Sequence, residues 1–196
     1  DYIDLESFAD QWLFYELNEE NSVNSSVYYY KDSDICGDGK LHASWPWDME
    51  HSLAREGGAA SSWFAAASDL KPEGYWMQFY HHRDFAEAVY KEWMTKFVPA
   101  LEKALNPETG YDPDGISSLD WYLGYYGTDA QINESRWNGS GFAEKLEKIR
   151  RIYTVRLDFL TEALGLYDTD YIYFYKENGI LYGVNAQEES IPVENP

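Results

Sequence analysis

The fold class is decided by the stretch from Phe142 to Leu164, which reads FAEKLEKIRRIYTVRLDFLTEAL. Its apolar residues recur at helical spacing, and this predicts one long helix. Gly165 follows directly, and a glycine just past the last periodic residue is a common helix end. On the amino-terminal side, residues 116–132 also have a helical pattern, which Gly124 and Gly127 are expected to interrupt or weaken.

Two more helical segments are predicted further towards the amino terminus. Residues 75–97 have a helical period that stops near residues 106–107, and Asp84 is the expected cap of its second part. A first helix is predicted to run from Ser7, which can cap it, to about Asn18. The bulk of the chain is therefore predicted to be a helical bundle.

Two β-hairpins are also predicted. Residues 27–30 have strand composition, and residues 40–44 would be the returning strand, which delivers a tryptophan- and acid-rich segment at its end. Further along, Asn178-Gly179 lies between two β-rich runs at residues 171–175 and 180–184. Asn-Gly between such runs is a strong signal for a tight hairpin turn.

These elements together predict a mainly helical α+β fold with small β-hairpins. The chain has 196 residues, 44% of them hydrophobic, which is enough to bury one sizeable core. We therefore expect one domain over residues 1–185, followed by a polar, proline-bearing tail over residues 186–196.

The charge balance restricts the possible partners. The chain has 35 acidic and 15 basic residues, which give a formal net charge of −20. Such a surface repels phosphate backbones and anionic bilayers, so neither nucleic acid nor an anionic membrane is expected as a partner. No apolar run approaches the ~20 residues that a membrane-spanning helix needs. The acidity agrees with divalent-cation binding or a cationic partner, and equally with a simple solvated exterior.

Common enzyme motifs do not identify a reaction. Cys36 is the single cysteine, which excludes an internal disulfide and a cysteine-built zinc site. The sequence contains no glycine-rich phosphate loop of Walker or Rossmann type, no HExxH and no GxSxG motif.

Four short stretches carry a more specific signal through their order along the chain. They are Phe8–Glu16, Ser26–Asp32, Gly39–Leu41 and Trp45–Glu50. In this order they resemble the CotH (spore-coat-protein-H) kinase-like family, whose pattern is Phe-x-x-Tyr-hydrophobic-x-x-Glu, Asn-x-Asp, Ser-x-Tyr-hydrophobic-Tyr-Lys-Asp, Gly-Lys-Leu and Trp-Asp-Phe-Asp. Downstream, the resemblance continues through Phe85 and Trp93 to the late helix with Arg151 and Arg156, and so covers roughly residues 3–165.

The resemblance implies the carboxyl-terminal portion of an atypical protein-kinase-like fold. Such kinases use ATP and Mg²⁺ to phosphorylate Ser in secreted or spore-coat proteins of bacteria, so the implied partner is a protein substrate and the implied location is extracellular, at the cell surface or in the spore coat. Asp48 would be the catalytic carboxylate that holds Mg²⁺ on the nucleotide phosphates, and Glu50 would share the metal. The competing interpretation is that Asp48 caps a turn after Pro46.

Three further residues occupy positions that the resemblance assigns to support of the nucleotide. They are Glu16, Lys31 and Trp47, which we take as candidate cofactor-binding residues. Glu16 could instead be an ordinary solvated helix residue, and Lys31 a cation at a strand end.

The sequence also departs from the family pattern. When Asn21 is aligned with the family's Asn-x-Asp, Val23 falls at the acid, where it can neither accept a proton nor hold Mg²⁺. Glu50 replaces the second acid of Trp-Asp-Phe-Asp. The strands that grip phosphate in the family would lie before Asp1. We therefore expect this chain to be incomplete as a kinase, degenerate, and inactive by itself.

The aromatic residues support a rival hypothesis. Among eight Trp and 18 Tyr, several could line a groove for a sugar or a peptide, because rings stack on sugar faces and anchor interfaces. The candidates are Trp45, Trp47, Tyr75, Trp76, Trp121, Tyr122, Tyr125 and Tyr126. Core packing is the competing interpretation of these rings. The second hypothesis is a non-catalytic cell-surface module that binds protein or carbohydrate.

Overall fold

The computed structural model describes residues 2–20, 27–47, 49, 52–53, 79–137, 141–171 and 173–193. Within these ranges the chain is a mainly helical α+β protein with two small antiparallel sheets, as predicted. The elements in chain order are α1 (Leu5–Asn18), β1 (Tyr29–Lys31), β2 (Leu41–Ala43), α2 (Arg83–Glu92), a π-helical turn (Trp93–Phe97), α3 (Val98–Leu105), α4 (Leu119–Trp137), α5 (Phe142–Leu164), β3 (Tyr173–Glu177), β4 (Ile180–Val184) and β5 (Ser190–Pro192).

The first helix starts earlier than predicted. Its cap is Asp4, whose Oδ1 accepts the backbone N–H of Ser7 at 2.7 Å. The prediction of Ser7 as the cap was wrong, because Asp and Ser suit this position equally and the sequence does not choose between them. The Ser7 hydroxyl instead accepts the backbone N–H of Ala43 at 3.1 Å, which ties α1 to β2.

The first predicted hairpin is confirmed. Strands β1 and β2 pair antiparallel, with Tyr29 opposite Ala43 and Lys31 opposite Leu41. Leu41 also exchanges backbone hydrogen bonds with the start of the chain, since its N–H donates to Tyr2 and its C=O accepts from Asp4, both at 2.9 Å. The hairpin is therefore held against the beginning of α1.

For the second helical segment, the predicted carboxyl-terminal end is confirmed. Its predicted start and its predicted unbroken interior are wrong. It ends at Leu105, but its amino-terminal cap residue is His82, and Asp84 lies in the first turn of α2. Of the part predicted to begin at Tyr75, residues 75–78 lie outside the described residues.

The interior of that segment contains a π-helical turn where an unbroken α-helix was expected. There the N–H of Val98 donates to the carbonyl of Trp93, five residues earlier. Pro99 lies in the first turn of α3, and in an unbroken helix its ring would clash with the carbonyl of Thr95. The wider turn directly before Pro99 accommodates that ring.

Helix α4 is continuous across the two glycines that were expected to interrupt it. It runs from Leu119 to Trp137, whereas the prediction ended it at Ile132. Glycine costs a helix interior about 1 kcal/mol relative to alanine, which weakens a helix without forcing a break. A Cβ added at Gly124 or Gly127 would meet nothing within 4 Å.

Helix α5 has the predicted bounds and is one wall of the core. The core lies between α1, α2, the π-helical turn, α5 and the hairpin β3–β4, and its fully buried members include Trp12, Leu13, Trp93, Phe159, Leu160 and Phe174. Within the described part of the chain, no helix is long and apolar enough to cross a lipid bilayer.

The second hairpin is confirmed, with a turn at Asn178-Gly179. Both residues have positive φ, 51° and 80°, as a tight type I′ turn requires. The sheet also has a third strand, β5, which pairs with β4 through Ser190 opposite Val184. Part of the segment that we predicted as a tail is therefore a strand, because a polar composition is compatible with an edge strand.

Candidate functional site

The end of α1 and the two residues that follow it contain the densest group of buried charge in the described chain. Glu16, Glu19 and Glu20 each have 0% of their surface exposed. Glu19 ends the helix in a left-handed conformation, with φ of 53°, and its N–H donates to the carbonyl of Glu16 at 3.2 Å. A carboxylate is buried at high cost unless it is paired, so each of these groups needs a partner.

The partner of Glu16 comes from α5. Arg156 Nη2 donates to Glu16 Oε1 at 2.5 Å and to the Glu16 carbonyl at 2.6 Å, and both side chains are fully buried. The guanidinium also lies 5.7 Å from the ring of Phe159. The interpretation of Glu16 as a solvated helix residue is therefore wrong. The pair joins residues 140 positions apart in the chain.

Two tyrosine hydroxyl groups lie beside this ion pair. The ring of Tyr80 stacks on Trp12 with centroids 5.4 Å apart, and burial, reinforced by the negative charge of Glu16, raises the pKa of the Tyr80 hydroxyl. Tyr153 on α5 donates to Asn18 Oδ1 at 2.7 Å, and burial raises its pKa to about 12. Both groups remain protonated donors at neutral pH.

The described residues of the tryptophan- and acid-rich segment that follows β2 contact α1 at several points. Gln11 donates to the Ser44 carbonyl at 3.0 Å at the beginning of the segment. Burial raises the pKa of the Tyr15 hydroxyl, and a hydrogen bond from the Trp47 backbone opposes this rise. At the other end of the segment, the Leu53 N–H donates to the Asn18 carbonyl at 2.7 Å.

Ser52 adds a direct link to the buried acids. Its hydroxyl donates to Glu20 Oε2 at 2.8 Å, and its N–H donates to the Met49 carbonyl at 3.2 Å. Asp48 and Glu50, the predicted metal-binding residues, lie outside the described residues. Their described neighbours on both sides contact the last turns of α1, where the carboxylates of Glu16, Glu19 and Glu20 are buried.

The other two predicted cofactor-binding residues, Lys31 and Trp47, are exposed. Lys31 is at the end of β1, and its Nζ is paired with the carboxylate of Asp34 in the hairpin turn. Trp47 has 61% of its surface exposed and meets the ring of Tyr28 edge to face, with centroids 6.5 Å apart. The described contacts therefore connect Trp47 to the end of α1 through its backbone and link Lys31 to its own hairpin.

Sequence reasoning missed a second cluster of carboxylates, between α1 and α2. Lys96 Nζ lies 2.8 Å from oxygens of Glu6, Asp10 and Glu92. Burial lowers the pKa of Lys96, but its hydrogen bonds to Asp10, Glu6 and Glu92 outweigh this and raise the pKa overall. The lysine already supplies the cation that the three carboxylates need. The i,i+4 spacings of 6 with 10 and of 92 with 96 are the signal that would have revealed it.

A third group consists of Asp4, Asp38 and His42, whose ligand atoms lie within 4.8 Å of one another. His42 Nε2 lies 3.0 Å from Asp38, and its other nitrogen lies 3.9 Å from Asp4. Asp4 already caps α1, and the Asp38 carboxylate accepts the N–H of Lys40 at 2.9 Å. The group therefore serves the turn and the helix start.

Only some of the predicted aromatic groove residues lie in the described part of the chain. Tyr75 and Trp76 lie outside the described residues, and Trp45 follows β2 with 88% of its surface exposed. Trp47 also follows β2, and the four remaining rings, on α4, contact one another. Tyr122, Tyr125 and Tyr126 are exposed and Trp121 is partly exposed, so core packing is the wrong interpretation for these rings.

Comparison with known proteins gives no assignment, since no family model, no curated protein and no solved structure matches this chain.

Proposed function

We propose that this chain is the carboxyl-terminal portion of a CotH-like atypical protein kinase, and that the last turn of α1 and the segment after β2 form its part of an ATP–Mg²⁺ site. The proposal rests on one observation: residues from separate stretches that carry the resemblance contact one another at the end of α1. Glu16 from the first stretch pairs with Arg156 from the late helix, and Trp47 and Leu53 form hydrogen bonds with Tyr15 and Asn18 near the end of α1.

The buried charges suit such a site chemically. A protein that binds a nucleoside triphosphate through Mg²⁺ needs a carboxylate at a fixed position. The reacting groups tolerate little displacement during phosphoryl transfer. The Glu16–Arg156 pair links α1 to α5, and the Ser52–Glu20 hydrogen bond ties a residue four positions after Asp48 to the end of α1, which supports the proposal. In the proposal Asp48 holds Mg²⁺, Glu50 assists, and Glu16 acts as a positioning residue through its ion pair.

We also propose that this chain by itself has reduced kinase activity or none. Val23 falls where the family has an acid, and Lys31 is paired with Asp34 in its own turn. The proposed substrate is a Ser-containing protein, and the proposed setting is outside the bacterial cell or in the spore coat.

A transfer assay tests this function. Radiolabelled ATP with Mg²⁺ is incubated with this chain, with a form extended towards the amino terminus, and with a generic Ser-containing acceptor protein. We expect label on protein only with the extended form, and its loss in Asp48→Ala. Asp114→Ala, which removes an exposed carboxylate from the loop before α4, is the matched control and should retain transfer. Equal labelling in Asp48→Ala and the control would exclude the proposed role of Asp48.

A second candidate function is a non-catalytic cell-surface module that binds protein or carbohydrate. The exposed rings of Trp45 and Trp47 favour it, because large aromatic side chains in contact with water are typical of recognition surfaces. Absence of transfer and of nucleotide binding in every form, together with retention on an immobilised glycan, would favour this candidate.

A further inference from the structure

Helix α4 presents an aromatic surface to solvent. Of its 19 residues only Leu119 is buried. Five aromatic residues on α4 and in the loop before it form what we call the aromatic face, namely Tyr111, Trp121, Tyr122, Tyr125 and Tyr126. Tyr111 and Tyr125 have 63% and 64% of their surface exposed, and Tyr126 has 44%. Clustered exposed rings of this kind usually mark an interaction site.

The rings of the aromatic face are already ordered by contacts with one another. Trp121 stacks on Tyr111 at 4.9 Å and on Tyr125 at 4.9 Å between ring centroids, with interplanar angles of 28° and 16°. Tyr122 and Tyr126 are parallel within 10° at 6.2 Å. A ligand that stacks on these rings therefore loses little free energy in fixing their positions.

Acidic residues predominate around the aromatic face, although two of them are paired within the fold, Asp112 with Lys103 at 3.5 Å and Asp120 with Arg150 at 2.9 Å. Between residues 106 and 137 there is a single basic residue, Arg136, against six acidic ones, namely Glu108, Asp112, Asp114, Asp120, Asp129 and Glu134. Asp129 follows Tyr125 by four residues and Tyr126 by three, so it lies on their side of the helix, and it is exposed. The surroundings of the rings therefore attract cations and repel anions.

We propose that the aromatic face is a docking site for an arginine-rich segment of a partner protein. A guanidinium group stacks on aromatic rings and donates several hydrogen bonds to carboxylates at the same time, so it uses both features of this surface. A neutral sugar would use the rings and gain nothing from the acidic residues. A second copy of this chain would bring another net charge of −20 and be repelled. The proposal does not depend on the kinase proposal.

Titration with labelled peptides tests this inference. An oligo-arginine peptide, an oligo-lysine peptide of equal length and a neutral β-glucan oligosaccharide are each added to the chain, and binding is followed by fluorescence anisotropy at low and high salt. We expect the arginine peptide to bind more tightly than the lysine peptide, and less tightly at high salt. In Tyr125→Ala its affinity should fall roughly threefold to tenfold, and Asp129→Asn should weaken it by a smaller factor.

Tyr2→Ala is the matched control, because it removes an exposed tyrosine with 88% of its surface in water from a different part of the chain. It should leave peptide affinity unchanged. All three changes affect exposed side chains, and equal thermal unfolding curves will show that the fold is intact. Equal peptide affinity in Tyr125→Ala and Tyr2→Ala would overturn the proposal, because binding would then be general attraction to an acidic protein. Binding of the saccharide in place of the peptide, or no binding of the arginine peptide, would also overturn it.

Discussion

The last turn of α1 and the aromatic face of α4 both combine carboxylates with aromatic rings, but they do so in opposite environments. At α1 the carboxylates of Glu16, Glu19 and Glu20 are fully buried, and Glu16 is paired with Arg156. On α4 the carboxylate of Asp129 and the ring of Tyr125 are both in contact with water. A buried charge interacts strongly and must be matched within the fold, whereas an exposed charge interacts weakly with its neighbours and remains available to a partner. The first arrangement therefore fixes structure, and the second is suited to recognition.

The largest effect is expected at the buried ion pair. Arg156→Met should lower the free energy of unfolding by about 3–5 kcal/mol, because it leaves the carboxylate of Glu16 buried without its cation. Urea denaturation followed by tryptophan fluorescence measures this loss. Arg150→Met is the matched control on the same helix, since Arg150 is paired with Asp120 at 2.9 Å in a more exposed position, and should cost about 1 kcal/mol or less.

The double variant Glu16→Leu with Arg156→Met sharpens that test. Two apolar residues in place of a buried ion pair often restore stability, so the double variant should be more stable than Arg156→Met alone. If Arg156→Met and Arg150→Met are equally stable, the buried pair has no special role in the fold.

A smaller, pH-dependent effect is expected at Tyr153, which lies beside α1. An ordinary tyrosine has a pKa near 10, and burial raises that of Tyr153 to about 12. Between these two values the unfolded chain loses the proton while the folded chain keeps it, so stability falls as pH rises through this window. Between pH 10 and 12, the free energy of unfolding of Tyr153→Phe should fall by about 1–2 kcal/mol less than that of the wild type.

Denaturant titrations at several alkaline pH values measure this difference. Tyr125→Phe, which removes a hydroxyl group from the exposed face of α4, is the control for the substitution itself. A Tyr153→Phe curve that is parallel to the wild-type curve would mean that Tyr153 titrates as it does in the unfolded chain.

Substitutions in α4 are expected to change the free energy of unfolding by a still smaller amount, and to raise it. Gly124→Ala and Gly127→Ala should each raise the free energy of unfolding by about 0.5–1 kcal/mol, because the added methyl groups enter open space and alanine favours a helix. Gly141→Ala should instead destabilise the chain, since the φ of Gly141 is +92°. Thermal melting compares the three variants, and destabilisation by Gly124→Ala would show that this surface is already covered.

The sequence predicted the parts of the fold that depend on local pattern. The bounds of α5 follow from its apolar period and Gly165, and the turn of the β3–β4 hairpin follows from Asn178-Gly179. The cap of α1 was misplaced because Asp4 and Ser7 are both good caps. The π-helical turn was missed, although Pro99 carried the signal.

The candidate site could be predicted only in part. The resemblance named Glu16 and Arg156 separately, but their pairing is a contact over 140 positions that no local pattern reports. Glu19 and Glu20 follow the predicted end of the first helix, where consecutive acids usually face water, so the local sequence gives no sign of their burial. The hydrogen bonds of Ser52 to Glu20 and of Leu53 to Asn18 are likewise contacts between distant positions in the chain.

The central proposal is that Asp48, in the segment after β2, contributes to an ATP–Mg²⁺ site. Isothermal calorimetry of ATP binding, with and without Mg²⁺, tests it most directly on the form extended towards the amino terminus and on its Asp48→Ala variant. The account predicts that ATP binds to the extended form only when Mg²⁺ is present, and that the Asp48→Ala change abolishes binding. Absence of binding in the extended form, or binding that is unaffected by Asp48→Ala, would contradict the account.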